Sequence, residues 1–237
     1  MKKTTILFDL DGTLLPMDQD LFTTTYFKDL AVKLAPLGYD PHSLAGNIWA
    51  GVAAMVKNDG SRTNEAAFWE EFSHIYGEKA RDDAPVFEDF YAHEFENARS
   101  VCGFSPQAGE TVRRLKELGY RVVLATNPIF PAVATRTRIR WTGLEPEDFE
   151  FITTYENSHY SKPNPRYFQE VLERIGCTPE ECLMVGNDVT EDGAAGKIGV
   201  EVFFLTDCLI NQAGQDISQT PHGGWEDLMA YIQGKGE

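Results

Sequence analysis

Cysteine is scarce in this 237-residue chain: Cys102, Cys177, Cys182 and Cys208 are the only four, and none forms a CxxC pair. A disulfide framework would need a far greater density, so a reducing compartment is expected. Basic residues are also few, 21 Lys and Arg against 37 Asp and Glu, which leaves a formal charge of −16. Such a field repels nucleic-acid phosphate and anionic membrane surfaces, and neither is expected as a partner. Long apolar runs are missing too. Met1-Lys2-Lys3 leads into a short apolar stretch that Asp9 and Asp11 interrupt, too little for a signal peptide, and no later stretch approaches membrane-spanning length. The five histidines, His42, His74, His93, His159 and His222, have no metal-ligand spacing, and no repeat or low-complexity segment occurs. A soluble, cytoplasmic protein is expected.

What is present suits a globular enzyme. Hydrophobic residues make up 42% and charged residues 24%, enough apolar material for a sizeable core. The length is near one and a half times a prior of about 150 residues per domain, which suits one large domain or one with an inserted partner. Thr4 to Phe8 reads as a buried strand emptying into a turn at Asp9 to Gly12. From about Asp18 to Ala98 the period changes. Phe22, Tyr26, Leu30 and Leu34 recur at helical spacing, as do Phe68, Phe72, Ile75 and Tyr76, and no strand is expected there. Beyond Gly103, strand and helix alternate. A helix from Pro106, with Ser105 as a possible N-cap, ends at Gly119, and a strand over Arg121 to Ala125 precedes a helix from about Pro131 to Trp141. After the short apolar run Phe151 to Thr153, Asn164-Pro165 caps a helix ending at Gly176, and Thr178 to Glu181 matches a capping box. Strands over Cys182 to Val185 and Val200 to Phe204 and a last helix from Trp225 to Ile232 complete the pattern, with Gln233 to Glu237 expected to fray. Continuous apolar strands alternating with helices predict an α/β fold: a Rossmann-like parallel sheet core with helices on both faces, residues 1–16 and 100–237, interrupted by an all-helical insert over 17–99.

In open α/β sheets, ligands bind beyond the carboxyl ends of the strands, and here those ends are polar. Asp9 and Asp11 follow the first strand and Thr126 and Asn127 the second. Lys162 lies after the run at Phe151, and Asn187, Asp188 and Asp192 follow CLMVG. Taken singly these are weak signals: Asp-Leu-Asp-Gly suits any strand-ending turn, and Lys162 before Pro163 reads as a solvated loop lysine. Together they supply carboxylates, a hydroxyl, an ammonium and glycine-lined backbone, an inventory suited to a phosphoryl group and a divalent cation. They would also let an acidic protein accept an anionic ligand. Arg136, Arg138 and Arg140, alternating along one helix, read as a solvated face, and Phe68, Trp69, Phe72 and Tyr76 as helix packing. Asn157 to Ser161 reads as a loop leading into Lys162.

The ordered set Asp9-Leu10-Asp11-Gly12-Thr13, Thr126-Asn127, Lys162-Pro163 and Gly186-Asn187-Asp188-Val189-Thr190-Glu191-Asp192 resembles the four motifs of the haloacid dehalogenase superfamily across the whole core. The helical insert then corresponds to that family's C1-type cap. The resemblance implies a phosphatase acting on a small phosphorylated metabolite through an aspartyl-phosphate. Asp9 is the implied nucleophile, and Asp11 the acid that protonates the leaving oxygen and then activates water. Thr126 and the Asn127 N–H would hold phosphoryl oxygens while Lys162 neutralises charge. Mg²⁺ is the implied cofactor, with an Asp9 side-chain oxygen and the Asp11 carbonyl as ligands. The fourth motif departs from the usual pattern, which has Asp directly after the Gly. Charge favours Asp188 as the remaining ligand and position favours Asn187, with Asp192 a partner of Lys162 or of metal-bound water; a helix beginning near Val189 is expected behind this turn. A phosphosugar mutase and a non-catalytic binding module stay open as alternatives. Dehalogenation is disfavoured, because Asp11 would have no proton to give a departing halide.

Overall fold

The computed structural model describes residues 3–234. After β1 (Thr5–Phe8) come only helices: α1 (Gln19–Leu34), α2 (Pro41–Val56), α3 (Asn64–Tyr76), the single turn α4 (Lys79–Asp82) and α5 (Ala84–Ala92), then a 3-10 stretch over Glu94–Val101. The alternating part follows as α6 (Pro106–Glu117), β2 (Arg121–Leu124), α7 (Ala132–Trp141), α8 (Pro165–Ile175), β3 (Cys182–Gly186), β4 (Glu201–Leu205), β5 (His222–Gly223) and α9 (Trp225–Gly234).

Local chemistry sets these boundaries. Asp18 accepts the Leu21 N–H at 2.9 Å to start α1, and Thr63 accepts that of Ala66 at 3.2 Å to start α3. Asn164 accepts the Arg166 N–H ahead of Pro165, and Gly176 closes α8 in the left-handed region. The Thr178 capping box forms around a 3-10 turn. Three expectations need correction. Ser105 makes no capping hydrogen bond, so α6 starts on Pro106 unaided. Phe151–Thr153 is no strand: only Ile152 bridges, to Leu124. Behind Asn187 no helix starts at Val189; a 3-10 helix runs over Asp192–Ile198. The short edge strand β5 was not expected. The expected fraying of the tail falls largely on residues 235–237, outside the described residues, as do Met1 and Lys2.

The sheet is parallel throughout, in the order β2-β1-β3-β4-β5. Phe8 lies level with Leu124 of β2 and with Val185 of β3. Chain segments leaving the carboxyl ends of these three strands, at Asp9, Thr126 and Asn187, therefore emerge side by side, which is what brings sequence-distant motifs together. Alternate strand residues serve opposite faces. Ile6, Phe8, Leu124 and Val185 pack with α6, α9 and the helices after β1, whereas Leu7, Val123, Met184 and Phe204 pack with α8. Both faces are covered, as a parallel sheet requires. The two passages between sheet and helical insert lie against each other: Met17 bridges Cys102, and the Gly103 N–H donates to the Pro16 carbonyl at 2.7 Å. Among the described residues no helix is long and apolar enough to cross a membrane, and the four cysteines are free.

Candidate active site

Asp9 leaves the end of β1 with a separate donor on each carboxylate oxygen. Oδ1 accepts from Lys162 Nζ at 2.8 Å, and Oδ2 lies 3.2 Å from the Thr13 hydroxyl. The Lys162 side chain is wholly buried and also donates to Asp192 Oδ1 at 2.6 Å. Burial works against its charge, yet Asp192 and Asp9 outweigh that cost and hold the ammonium pKa well above its usual range. The other Asp192 oxygen accepts the Asn187 and Asp188 N–H groups, both at 2.9 Å. Burial pushes the Asp192 carboxyl up to about 6 against the pull of Lys162. Lys162 is thus no solvated loop lysine: it is the buried counter-ion that lets two carboxylates share the interior.

The fourth motif closes on this pair. Thr13 Oγ1 lies 2.9 Å from Asn187 Oδ1 as well as near Asp9 Oδ2, but has one proton for the two acceptors. The Asn187 amide nitrogen donates to the Cys208 carbonyl at 2.8 Å, which fixes its oxygen toward Asp9. Asp188 folds its Oδ1 back onto its own turn, accepting the Thr190 and Glu191 N–H groups at 2.7 and 2.8 Å. Two glycines permit the approach. A Cβ on Gly186 would sit 2.0 Å from Asp192 Oδ2, and Gly12, at φ +82°, would put one 2.3 Å from Asn187 Nδ2.

Asn127 joins two loops: its Oδ1 accepts the Lys162 N–H at 3.2 Å, and its Nδ2 donates to Glu191 Oε2 at 3.0 Å. Thr126 is held through its carbonyl, which accepts from the hydroxyls of Thr153 and Tyr167 at 2.7 and 2.8 Å. Burial, reinforced by Asp192, Asp188 and Asp9 and opposed by Lys162, pushes Glu191 up to about 8. The structure therefore brings Asp9, Thr126, Asn127, Lys162, Asn187, Asp188 and Asp192 to one place, all but Lys162 lining a single cavity of about 290 Å³. Asp11 lines it too.

Asp11 brings the principal correction. Arg138, expected on a solvated face, is fully buried and forms an ion pair with Asp11 Oδ2, its guanidinium carbon 4.0 Å from the Phe130 ring centre. Arg136 and Arg140 are exposed as expected. One Arg138 nitrogen, Nη2, and the second Asp11 oxygen are buried without partners. Burial raises the Asp11 pKa, with Arg138 pulling the other way. A signal for Arg138 did exist: Ala134, Arg138 and Trp141 share one helix face, and the two neighbours are buried. Asn64 was also missed. Fully buried at the start of α3, it donates to the Pro128 carbonyl at 3.1 Å and to Ser161 Oγ at 3.0 Å, tying the helical insert to the loop before Lys162. Among the described residues no histidine lines the cavity.

The donor set suits a hard cation. Asp9 Oδ2 and Asn187 Oδ1 share a single hydroxyl proton, and the repulsion from Asp192, Asp188 and Asp9 that adds to burial in raising Glu191 would be relieved by positive charge. Among the described residues no group of three or more His, Cys, Asp or Glu side chains is arranged to cage a metal. A site of one or two carboxylates completed by carbonyl, water and phosphate oxygens is of the kind Mg²⁺ uses.

Comparison with known proteins gives a family and a fold. The family model for haloacid dehalogenase-like hydrolases matches residues 3–199. Pyrophosphatase PpaX of Bacillus cereus (strain AH820) is 26% identical over 201 residues, covering 79% of this chain and 76% of its own length. Among solved structures, a 2-haloacid dehalogenase from Pseudomonas syringae pv. Tomato DC3000 superposes with a TM-score of 0.64 at 20% identity, over 100% of both chains. YfnB from Bacillus subtilis, solved bound to magnesium, does so with 0.57 at 18% identity, over 98% of this chain and 99% of its own. These structural likenesses speak to the fold.

Proposed function

The chain belongs to the haloacid dehalogenase-like hydrolases; we propose that it is a phosphatase of that family, a Mg²⁺-dependent phosphoric monoester hydrolase that cleaves a small phosphorylated metabolite through an aspartyl-phosphate. The observation that carries this reading is the Asp9–Lys162–Asp192 chain of buried contacts at 2.8 and 2.6 Å, opening onto the cavity beside Asp11.

In the first half-reaction an Asp9 carboxylate oxygen bonds to phosphorus and the ester P–O bond breaks. The electron pair leaves on the substrate oxygen, which takes a proton from Asp11. In the second, Asp11 takes a proton from water as the water oxygen attacks phosphorus. The Asp9–phosphoryl bond then breaks, releasing inorganic phosphate and restoring both carboxyl groups to their starting states. Lys162 holds Asp9 in place and offsets charge. Thr126, braced through its carbonyl, and the Asn127 N–H are suited to phosphoryl oxygens. Asp9, the Asp11 carbonyl and Asn187 would hold Mg²⁺, which when bound neutralises phosphoryl charge. Asn187 is favoured over Asp188 because its oxygen faces Asp9 while an Asp188 oxygen caps its own turn. Magnesium in YfnB supports the choice of metal.

We assign residues 1–16 and 100–237 to the catalytic core and 17–99 to a cap domain, with the paired strands of chain at Pro16–Met17 and Cys102–Gly103 as its stem. Asp11 favours a phosphatase over a dehalogenase despite the likeness to the Pseudomonas protein, since only an oxygen leaving group needs its proton. The test is phosphate release from p-nitrophenyl phosphate with Mg²⁺, beside an EDTA control and Asp9→Asn. Loss of activity in both is expected. Activity that ignores chelation or survives Asp9→Asn would sink the mechanism.

A further inference from the structure

The cavity that begins at Asp9 and Asp11 continues between the helices of the insert, and its chemistry changes on the way. Beyond the carboxylates its walls are aromatic, with Phe22 and Tyr26 from α1, Phe68 and Trp69 from α3, Tyr91 from α5 and Phe130 ahead of α7. Among the described residues no lysine or arginine lines it: Lys162 and Arg138 lie behind its wall, each already paired with a carboxylate. Two glutamates do line it, Glu191 beside Asn127 and the exposed Glu88 on α5. A leaving group carrying a second negative charge would lose its hydration there, find no cation and meet the Glu88 carboxylate. An uncharged ring would instead exchange water for ring contacts.

We propose that this site takes phosphate monoesters of uncharged aromatic or apolar alcohols, and that it discriminates against pyrophosphate and against phosphate esters bearing a carboxylate. The assignment rests on the phosphatase reading above and narrows it. It separates this chain from a relative named as a pyrophosphatase: Asp9 and Lys162 act on the transferred phosphoryl group, whereas the aromatic wall faces what departs.

The test compares kcat/KM at saturating Mg²⁺ for 2-phenylethyl phosphate and 2-(2-naphthyl)ethyl phosphate with that for phosphoglycolate and pyrophosphate. The two aromatic esters leave as ordinary alkoxides, so a preference for them would not reflect an activated leaving group. They are expected to exceed both anionic substrates by at least about tenfold, the scale a hydrophobic pocket supplies. In addition, Val52→Lys places an ammonium in the cavity wall and is expected to shift the ratio toward phosphoglycolate. A binding arm uses Asp9→Asn, in which naphthylmethylphosphonate is expected to quench the fluorescence of Trp49 and Trp69, both in the cavity wall, where methylenediphosphonate does not. A kcat/KM ratio below about tenfold with phosphate still released would overturn the assignment and leave the phosphatase reading standing. No phosphate release from any substrate would overturn both.

Discussion

Replacing Lys162 by Met would leave Asp9 and Asp192 facing each other in the interior with no cation between them. Breaking a buried pair in this way costs about 3–5 kcal/mol, and loss of the positive charge beside the nucleophile should lower kcat by at least about 100-fold. Urea unfolding and p-nitrophenyl phosphate turnover check the two effects separately, and an unchanged unfolding midpoint would show that the carboxylates do not depend on this ammonium. Arg138→Met asks a different question. The guanidinium favours the ionised form of Asp11 while burial opposes it, so its removal should raise the Asp11 pKa further. If Asp11 must be protonated to serve the leaving oxygen, the alkaline limb of kcat/KM should move to higher pH. A limb that stays put, or moves down, would separate Asp11 from that step. These two cations also mark what single residues reveal in sequence. Lys162 was legible because it stands in a recognisable order of motifs. Arg138 was not, because a charge at alternating positions reads as solvated until the buried face of its helix is identified.

Among elements, the strands and their exits were the readable part. An apolar run must be buried and its polar successor must face a crevice, so β1, β2 and β3 could be placed together with the motifs that follow them. Contacts between elements distant in sequence left no comparable trace. Asn64 caps nothing yet joins Asn58 of its own helical unit to the Pro128 carbonyl and Ser161 of the loop before Lys162, at 3.0, 3.1 and 3.0 Å. Asn64→Ala strands those partners out of contact with water and should cost about 1–3 kcal/mol. Because the junction holds α3 against the loop that carries Lys162, KM should rise more than the stability loss alone would produce at temperatures where the variant stays folded. Chemical unfolding and steady-state kinetics measured together would reveal this, and a stability loss with unchanged KM would make Asn64 a purely structural tie. Gly186→Ala is the more severe case, since a Cβ 2.0 Å from Asp192 Oδ2 must displace the partner of Lys162.

For the whole molecule, acidity concentrates where a cation is expected, and this fixes the pH dependence of stability. On the surface, Asp40, Asp89 and Asp216 have pKa values held down, by hydrogen bonds from His42, Lys33 and Ser218 respectively. They supply stability above their unfolded values that is lost as pH falls. The site works in the opposite sense. Burial raises Asp11, takes Asp192 from 3.8 to about 6, and takes Glu191 from 4.5 to about 8. Each binds its proton more tightly folded than unfolded, so its contribution is complete below the unfolded value and disappears as pH rises through the folded one. In EDTA, stability should therefore peak in weakly acidic solution and decline between pH of about 5 and 8. Mg²⁺ competes for the same oxygens, and where protons no longer screen the carboxylates it should replace them. At about a hundredfold excess over Kd it should add about 2.7 kcal/mol, or about 5–10 °C in Tm for a chain of this size. That gain should be clear near pH 8 and small near pH 5, where protons already occupy the cluster. Thermal unfolding with and without Mg²⁺ across this range decides the matter: an equal Tm increase at both ends would mean that the metal binds away from these carboxyl groups.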